Sequence, residues 1–206
     1  MSWYEGMEWC DMEFDELKKI VEKTIEQIYT KEAYLIKYGL SEWTISAQFH
    51  YYMRKECWKK LKGYCFDSEY NLMSKIKNRE LVQKCICVNG EPLHVRPDFI
   101  IHKRDDSKGN FLWVEMKHRK GMCWKNDLCR VKAVTQVRVN EGGGDYVTGY
   151  AYGLGVLFRK RNVICQWYAN DNKVAGRIME KDTSGTWEWK DSHVDICGCL
   201  LLERKD

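Results

Sequence analysis

Pro97-Asp98-Phe99-Ile100-Ile101-His102, followed across the turn Asp105-Asp106-Ser107-Lys108-Gly109-Asn110 by Phe111-Leu112-Trp113-Val114-Glu115-Met116-Lys117, is the stretch whose reading decides the fold. The two apolar runs read as strands, about His94 to Lys103 and Phe111 to Lys117, and the polar turn joins them into a hairpin. Nearly continuous apolar runs are expected of central strands covered on both faces. Side chains alternate along a strand, so Glu115 and Lys117 share a face while Met116 points away. The hairpin brings Asp98, at the head of the first strand, alongside them.

Upstream, Phe14, Leu17, Ile20, Val21, Ile25 and Ile28 recur at near-helical spacing and predict a helix from about Asp11 to Tyr29. A second helix starts at Ser41, which can cap it, and runs to about Leu61. Tyr64 to Leu72 reads as a strand, and Ser74 to Gly90 as a polar connection with a short strand around Cys85 to Val88. Downstream, a third helix from about Asn126 to Val137 precedes the loop Gly142-Gly143-Gly144, which lacks the Lys-Ser/Thr of a phosphate cradle.

Tyr146 to Phe158 sorts by size. Tyr150, Tyr152, Leu154, Val156 and Phe158 fall on one face, and Gly149, Ala151, Gly153 and Gly155 on the other, where a helix can pack closely. Asn162 to Ala169, Lys173 to Lys181 and Val194 to Leu202 then read as antiparallel strands. The order argues an α/β layered fold, with a mixed β-sheet flanked by helices and extra antiparallel strands at the C-terminal end.

With 206 residues, two prolines and no linker or repeat, one domain is expected, with 1–40 as a helical extension, 41–158 as the core and 159–206 as a β elaboration. A hydrophobic fraction of 44% beside 31% charged residues is globular and argues against disorder. No apolar run approaches the ~20 residues that span a bilayer, and the acidic N-terminus does not read as a secretory signal. An intracellular, cytoplasmic protein with no membrane partner and with ten reduced thiols is the expectation. The net charge of +4 permits a polyanionic partner without requiring one.

An isolated Glu-x-Lys at a strand end is ordinarily a surface ion pair. Here the strands are apolar, burying two carboxylates costs several kcal/mol each, and one lysine offsets that poorly. A divalent cation answers the deficit. Two carboxylates bind Mg²⁺ or Mn²⁺ through hard oxygens and leave positions for water and a phosphate oxygen, while a lysine positions the water and counters charge on phosphorus.

On these residues the chain resembles the PD-(D/E)xK nuclease superfamily, with Pro97-Asp98 and Glu115-Met116-Lys117 as the two halves of its signature. It looks like a bacterial group within it whose pattern has a helix beginning with glutamate, an acidic-Tyr-Asn strand, P-D-hydrophobic-hydrophobic-x-H-x-R, E-x-K and a D-x-x-K-L helix. Glu42, Glu69-Tyr70-Asn71, Pro97 to Arg104, Glu115 to Lys117 and Asp127-Leu128-Cys129-Arg130-Val131 stand at those places, with Arg130-Val131 in place of Lys-Leu. The resemblance covers about Ser41 to Phe158 and implies a restriction-endonuclease-like core.

It further implies a Mg²⁺-dependent or Mn²⁺-dependent nuclease acting on nucleic acid, with DNA favoured over RNA. Asp98, Glu115 and the Met116 backbone carbonyl would hold the metal, Lys117 would act on the water, and Glu42 and Glu69 would assist. A homodimer would let two centres address two strands. The alternative is a silent nuclease fold serving as a binding, adaptor, immune or counter-immune protein.

Two of the extra acids have readings of their own. Glu42 lies on the helical stripe of Ile45, Phe49, Tyr52 and Glu56, so it either starts a core-facing row or is a solvated acid favoured by the helix dipole. Glu69 alternates with Asp67 and Asn71 on a face that can equally be exposed. His118, Arg119 and Lys120, with Asp127 and Arg130 one helical turn apart, read either as phosphate contacts or as a solvated basic run. Cys85-x-Cys87 and Cys197-x-Cys199 lack the C-x-x-C geometry of a zinc knuckle. Trp113 and Trp124 flank the proposed site and can stack on bases.

Overall fold

The hairpin forms. Phe99–His102 (β6) pairs antiparallel with Leu112–His118 (β7), Phe99 facing Val114 and Ile101 facing Leu112. The structure is a computed structural model and describes residues 12–70, 72–77, 80–88, 91–104, 109–118, 124–136, 149–170 and 172–192. In chain order the other elements are α1 (Phe14–Lys31), α2 (Ala33–Tyr38), α3 (Glu42–Cys57), β1 (Cys65–Asp67), β2 (Leu72–Lys77), β3 (Glu80–Gln83), β4 (Cys85–Val88), β5 (Glu91–His94), α4 (Trp124–Val134), β8 (Tyr152–Phe158), β9 (Asn162–Ala169), β10 (Asn172–Lys181) and β11 (Trp187–Asp191).

Seven strands make one sheet in the order β1-β6-β7-β8-β9-β10-β11, and β2/β3 and β4/β5 form two small hairpins. Among the described pairs β7/β8 alone is parallel, joined by the crossover that contains α4. The fold is mixed α/β, a mostly antiparallel sheet flanked by helices.

Alternation sends the two faces of β7 into different layers. Leu112, Val114 and Met116 join Leu154, Val156 and Phe158 in the core that α1 and α3 cover. α1 seals this core because Leu17, Val21, Ile25 and Ile28, at helical spacing, are fully buried; each contributes about 1.5–3 kcal/mol. Trp113 turns the other way, into a cluster with Ile100, Val131 and Val134. α4 reaches this second face so closely that a Cβ on Gly153 would lie 2.7 Å from the Val131 carbonyl oxygen, and one on Gly155 would lie 2.6 Å from Leu128 Cδ2. The small-residue face of β8 is the surface that receives α4, and β8 is covered on both sides.

Several elements differ from the sequence expectation. The first helix spans Phe14–Lys31, the short α2 intervenes, and α3 ends at Cys57. Gly39 closes α2 at φ 63, the left-handed cap a glycine tolerates best. Of the strand expected over Tyr64 to Leu72, Cys65–Asp67 joins the main sheet, the chain turns at Glu69, which has φ 51, and Leu72 opens β2. The supposed connection from Ser74 contains the hairpin of β2 and β3. Tyr150 precedes β8 and leaves its expected partners for the Trp113 cluster. The third helix spans Trp124–Val134, and β11 was not foreseen. The expected hairpin turn at 105–108, the triple-glycine loop and the strand at 194–202 lie outside the described residues. No helix among those described is long and apolar enough to cross a membrane.

Candidate functional site

The site collects where the C-terminal end of β7 meets the first turns of α3 and α4. Asp98 enters β6, and continuing the β6/β7 register places it opposite Glu115. Its carbonyl accepts a hydrogen bond from Ser46 Oγ of α3 at 3.1 Å, and its carboxylate Oδ2 accepts the Met116 N–H at 2.6 Å. α3 is set in turn by Ser41, whose hydroxyl caps the Thr44 N–H. The next residue, Glu42, therefore reaches over the strand end, where its carboxylate accepts the His118 N–H at 3.0 Å and Lys117 Nζ at 3.3 Å. The row of Ile45, Phe49 and Tyr52 behind Glu42 is buried, and Glu56 ends it in bonds to Lys23 and Gln27 of α1.

From the other layer α4 supplies Asp127 and Arg130. The Arg130 guanidinium donates to Glu115 at 3.3 Å and 3.4 Å and pairs closely with Asp127. The Trp113 indole N–H donates to Glu115 Oε1 at 3.0 Å. Asp127 Oδ2 is buried without a hydrogen-bond partner among the described residues, the Lys117 ammonium standing 3.6 Å away. Glu115 and Asp127 are 3% and 2% exposed, so their charges are held away from water.

Four carboxylates (Glu42, Asp98, Glu115, Asp127) thus face two cations (Lys117, Arg130). Burial raises the proton affinity of Asp98, and Glu42 and Asp127 raise it further against the pull of Met116 N–H and Lys117. Glu115 is lifted by burial, with Arg130 opposing and Asp98 reinforcing. Asp127 is lifted by burial as well. Lys117 moves the other way from what burial would do, since Asp127, Glu42 and Asp98 together raise it and keep it an ammonium.

Of the residues singled out from sequence, Asp98, Glu115, Lys117, Glu42, Asp127 and Arg130 converge. Glu69 does not join them in any described contact; past the end of β1 it pairs with Arg96 at 3.2 Å. The acid of that segment that turns inward is Asp67, bound by His102 at 2.9 Å and by Arg104. His118 is buried, 6% exposed, and is not part of an open basic run; Arg119 and Lys120 lie outside the described residues. Met116 contributes its N–H to Asp98 while its side chain packs in the core.

Two features escaped the sequence reading. Trp113 fixes Glu115, which alternation signals, because residues 113, 115 and 117 share a face. Lys84 is 3% exposed, donates to Tyr150 Oη at 3.0 Å and lies 5.3 to 5.8 Å from the ring centres of Tyr70, Trp113 and Tyr150. A lone lysine in a polar stretch carries no signal of such an aromatic box.

The donors fit a hard divalent cation by charge and type, since a dication would offset the surplus of two negative charges beside Asp98 and Glu115. Glu115 would first have to release Arg130, and among the described residues no group of three or more Asp, Glu, His or Cys is arranged as a ready ligand set. Cys65, Cys85, Cys129 and Cys165 form no disulfide. No family model, no curated protein and no solved structure matches this chain.

Proposed function

We propose that this chain is a metal-dependent nuclease that hydrolyses phosphodiester bonds, DNA in preference to RNA, on a restriction-endonuclease-like core. The supporting observation is the buried excess of four carboxylates over two cations at the end of β7, with Asp98 and Glu115 side by side and both raised in proton affinity. Asp98, Glu115 and the Met116 carbonyl would hold Mg²⁺ or Mn²⁺. An ion held there would supply Lewis acidity toward a phosphate oxygen and would lower the pKa of a water. Lys117, kept charged by its three acidic neighbours, orients that water and stabilises charge on the phosphoryl group and is not the base. Asp127, buried and raised in proton affinity with the Lys117 ammonium 3.6 Å from its Oδ2, would accept the water's proton. Once released from Glu115, Arg130 becomes a phosphate ligand.

The test is incubation with plasmid, single-stranded DNA and RNA in Mg²⁺, Mn²⁺ or EDTA. Cleavage requires metal, and Asp98→Ala and Lys117→Ala lower it by about 100-fold or more with the fold intact. Unchanged cleavage in EDTA or in both variants overturns the reading.

One observation favours the second reading, a silent nuclease fold acting as a binding, adaptor or counter-immune protein: Glu115 is already saturated by Arg130 and Trp113. It predicts no hydrolysis with any metal, and partner capture that Asp98→Ala leaves unchanged.

A further inference from the structure

The outward face of α3 carries a row that neither the core nor the candidate site uses. Its exposed positions, 43, 47, 51, 54, 55 and 58, recur at helical spacing and form one stripe. Three of them are large aromatics left open to solvent: Trp43 is 67% exposed, Tyr51 57% and Trp58 55%. Rings of this size are ordinarily buried, and several aligned on one helix face mark a contact surface.

The stripe is cationic as well as aromatic. At its C-terminal end a cavity of about 650 Å³ opens between the helix and the following turn, lined by Tyr51, Arg54, Lys55, Trp58, Lys62 and Tyr64 among others, with three cations and no acid in its lining. Arg54, Lys55 and Lys62 form no salt bridge among the described residues. At its other end the helix begins at Glu42, inside the candidate site. From Trp43 to Trp58 the helix rises about 22 Å.

We infer that the outer face of α3 binds a single strand of nucleic acid, bases stacked on Trp43, Tyr51 and Trp58 and phosphates held by Arg54, Lys55 and Lys62, leading the strand toward the Glu42 end. Solvent-exposed rings along a cationic track stack on bases of any sequence, and a duplex hides the base faces that such rings need. The cavity has room for one base or nucleotide beside Trp58, whereas a bilayer surface would need no recess. Strand binding rests on the stripe alone; delivery of the strand for cleavage rests on the hydrolytic reading.

The experiment measures fluorescence anisotropy of labelled twelve-nucleotide oligothymidylate, of oligouridylate and of a twelve-base-pair duplex, on the full chain in EDTA, so that binding is read whether or not the protein cuts. One or both single strands bind at least tenfold tighter than the duplex. Tyr51→Ala and Trp58→Ala each weaken binding roughly 5- to 150-fold, while circular dichroism and melting temperature stay as in wild type. Replacing Arg54, Lys55 and Lys62 together by Gln lowers the slope of log affinity against log salt by about two. Three results overturn the inference: equal affinity for strand and duplex; single-strand binding that survives all these changes; or no binding of either strand, in which case Trp58-dependent partition onto phosphatidylserine vesicles or Trp58-dependent dimerisation in sedimentation velocity names the occupant instead.

Discussion

Gly153→Ala tests the packing on which the candidate site depends. The added Cβ would lie 2.7 Å from both the carbonyl oxygen and Cγ1 of Val131, and 3.0 Å from Thr135 Cγ2. Ordinary contact begins at 3.4 Å, so α4 must retreat by about 0.7 Å, and because one obstacle is backbone no rotamer change relieves it. Overpacking of this kind costs about 1–3 kcal/mol, or about 2–12 °C in melting temperature at this chain length. At Gly155 the obstacles are side chains alone, Leu128 Cδ2 at 2.6 Å and the Trp124 ring at 3.0 Å, which can shift without moving the α4 backbone, so Gly155→Ala is milder. Gly149 has φ +78 and open space around it, and Gly149→Ala carries only the backbone strain, about 1 kcal/mol. Thermal melting followed by circular dichroism should rank Gly153→Ala as the most damaging of the three. Because α4 carries Asp127 and Arg130, Gly153→Ala should also lower any nuclease rate measured well below its melting point. A Gly153→Ala protein that melts within about a degree of wild type, or above Gly155→Ala, would refute the assignment of the β8 faces.

The raised carboxyls predict a sign for metal-free stability. Asp98 and Glu115 hold protons in the folded state that they lose when unfolded, so stability falls as pH rises from the ordinary carboxylate range toward neutrality. Melting scans at pH 5 and 7.5 should show this fall, flattened in Asp98→Asn, and Mn²⁺ at pH 7.5 should raise the wild-type melting temperature alone; no response to Mn²⁺ would count against the centre. Lys84 gives the opposite slope. Burial pushes its amine down to about 8, the unfolded chain binds more protons above that pH, and stability rises toward pH 10.5. Urea titrations of wild type and Lys84→Met should show a difference that closes by about 3 kcal/mol over that window; a constant difference would mean that the aromatic box sustains the charge.

Alternation and spacing alone determined much of this protein. They made the stretches around 99–102 and 112–118 a central hairpin with Glu115 and Lys117 on one face and set Gly153 and Gly155 toward a helix, while leaving Glu42 between a core-facing row and a solvated helix start. These are local consequences of strand and helix periodicity, which the chain carries whatever it packs against. Tertiary structure decided the rest. Residue spacing does not say that Asp67 and not Glu69 turns inward, that Arg130 closes on Glu115, that Lys84 lies among three rings, or that α3 leaves its aromatic stripe bare. Each depends on which surfaces distant segments bring together and on how much water they exclude, and the strength of a charge is set by that exclusion.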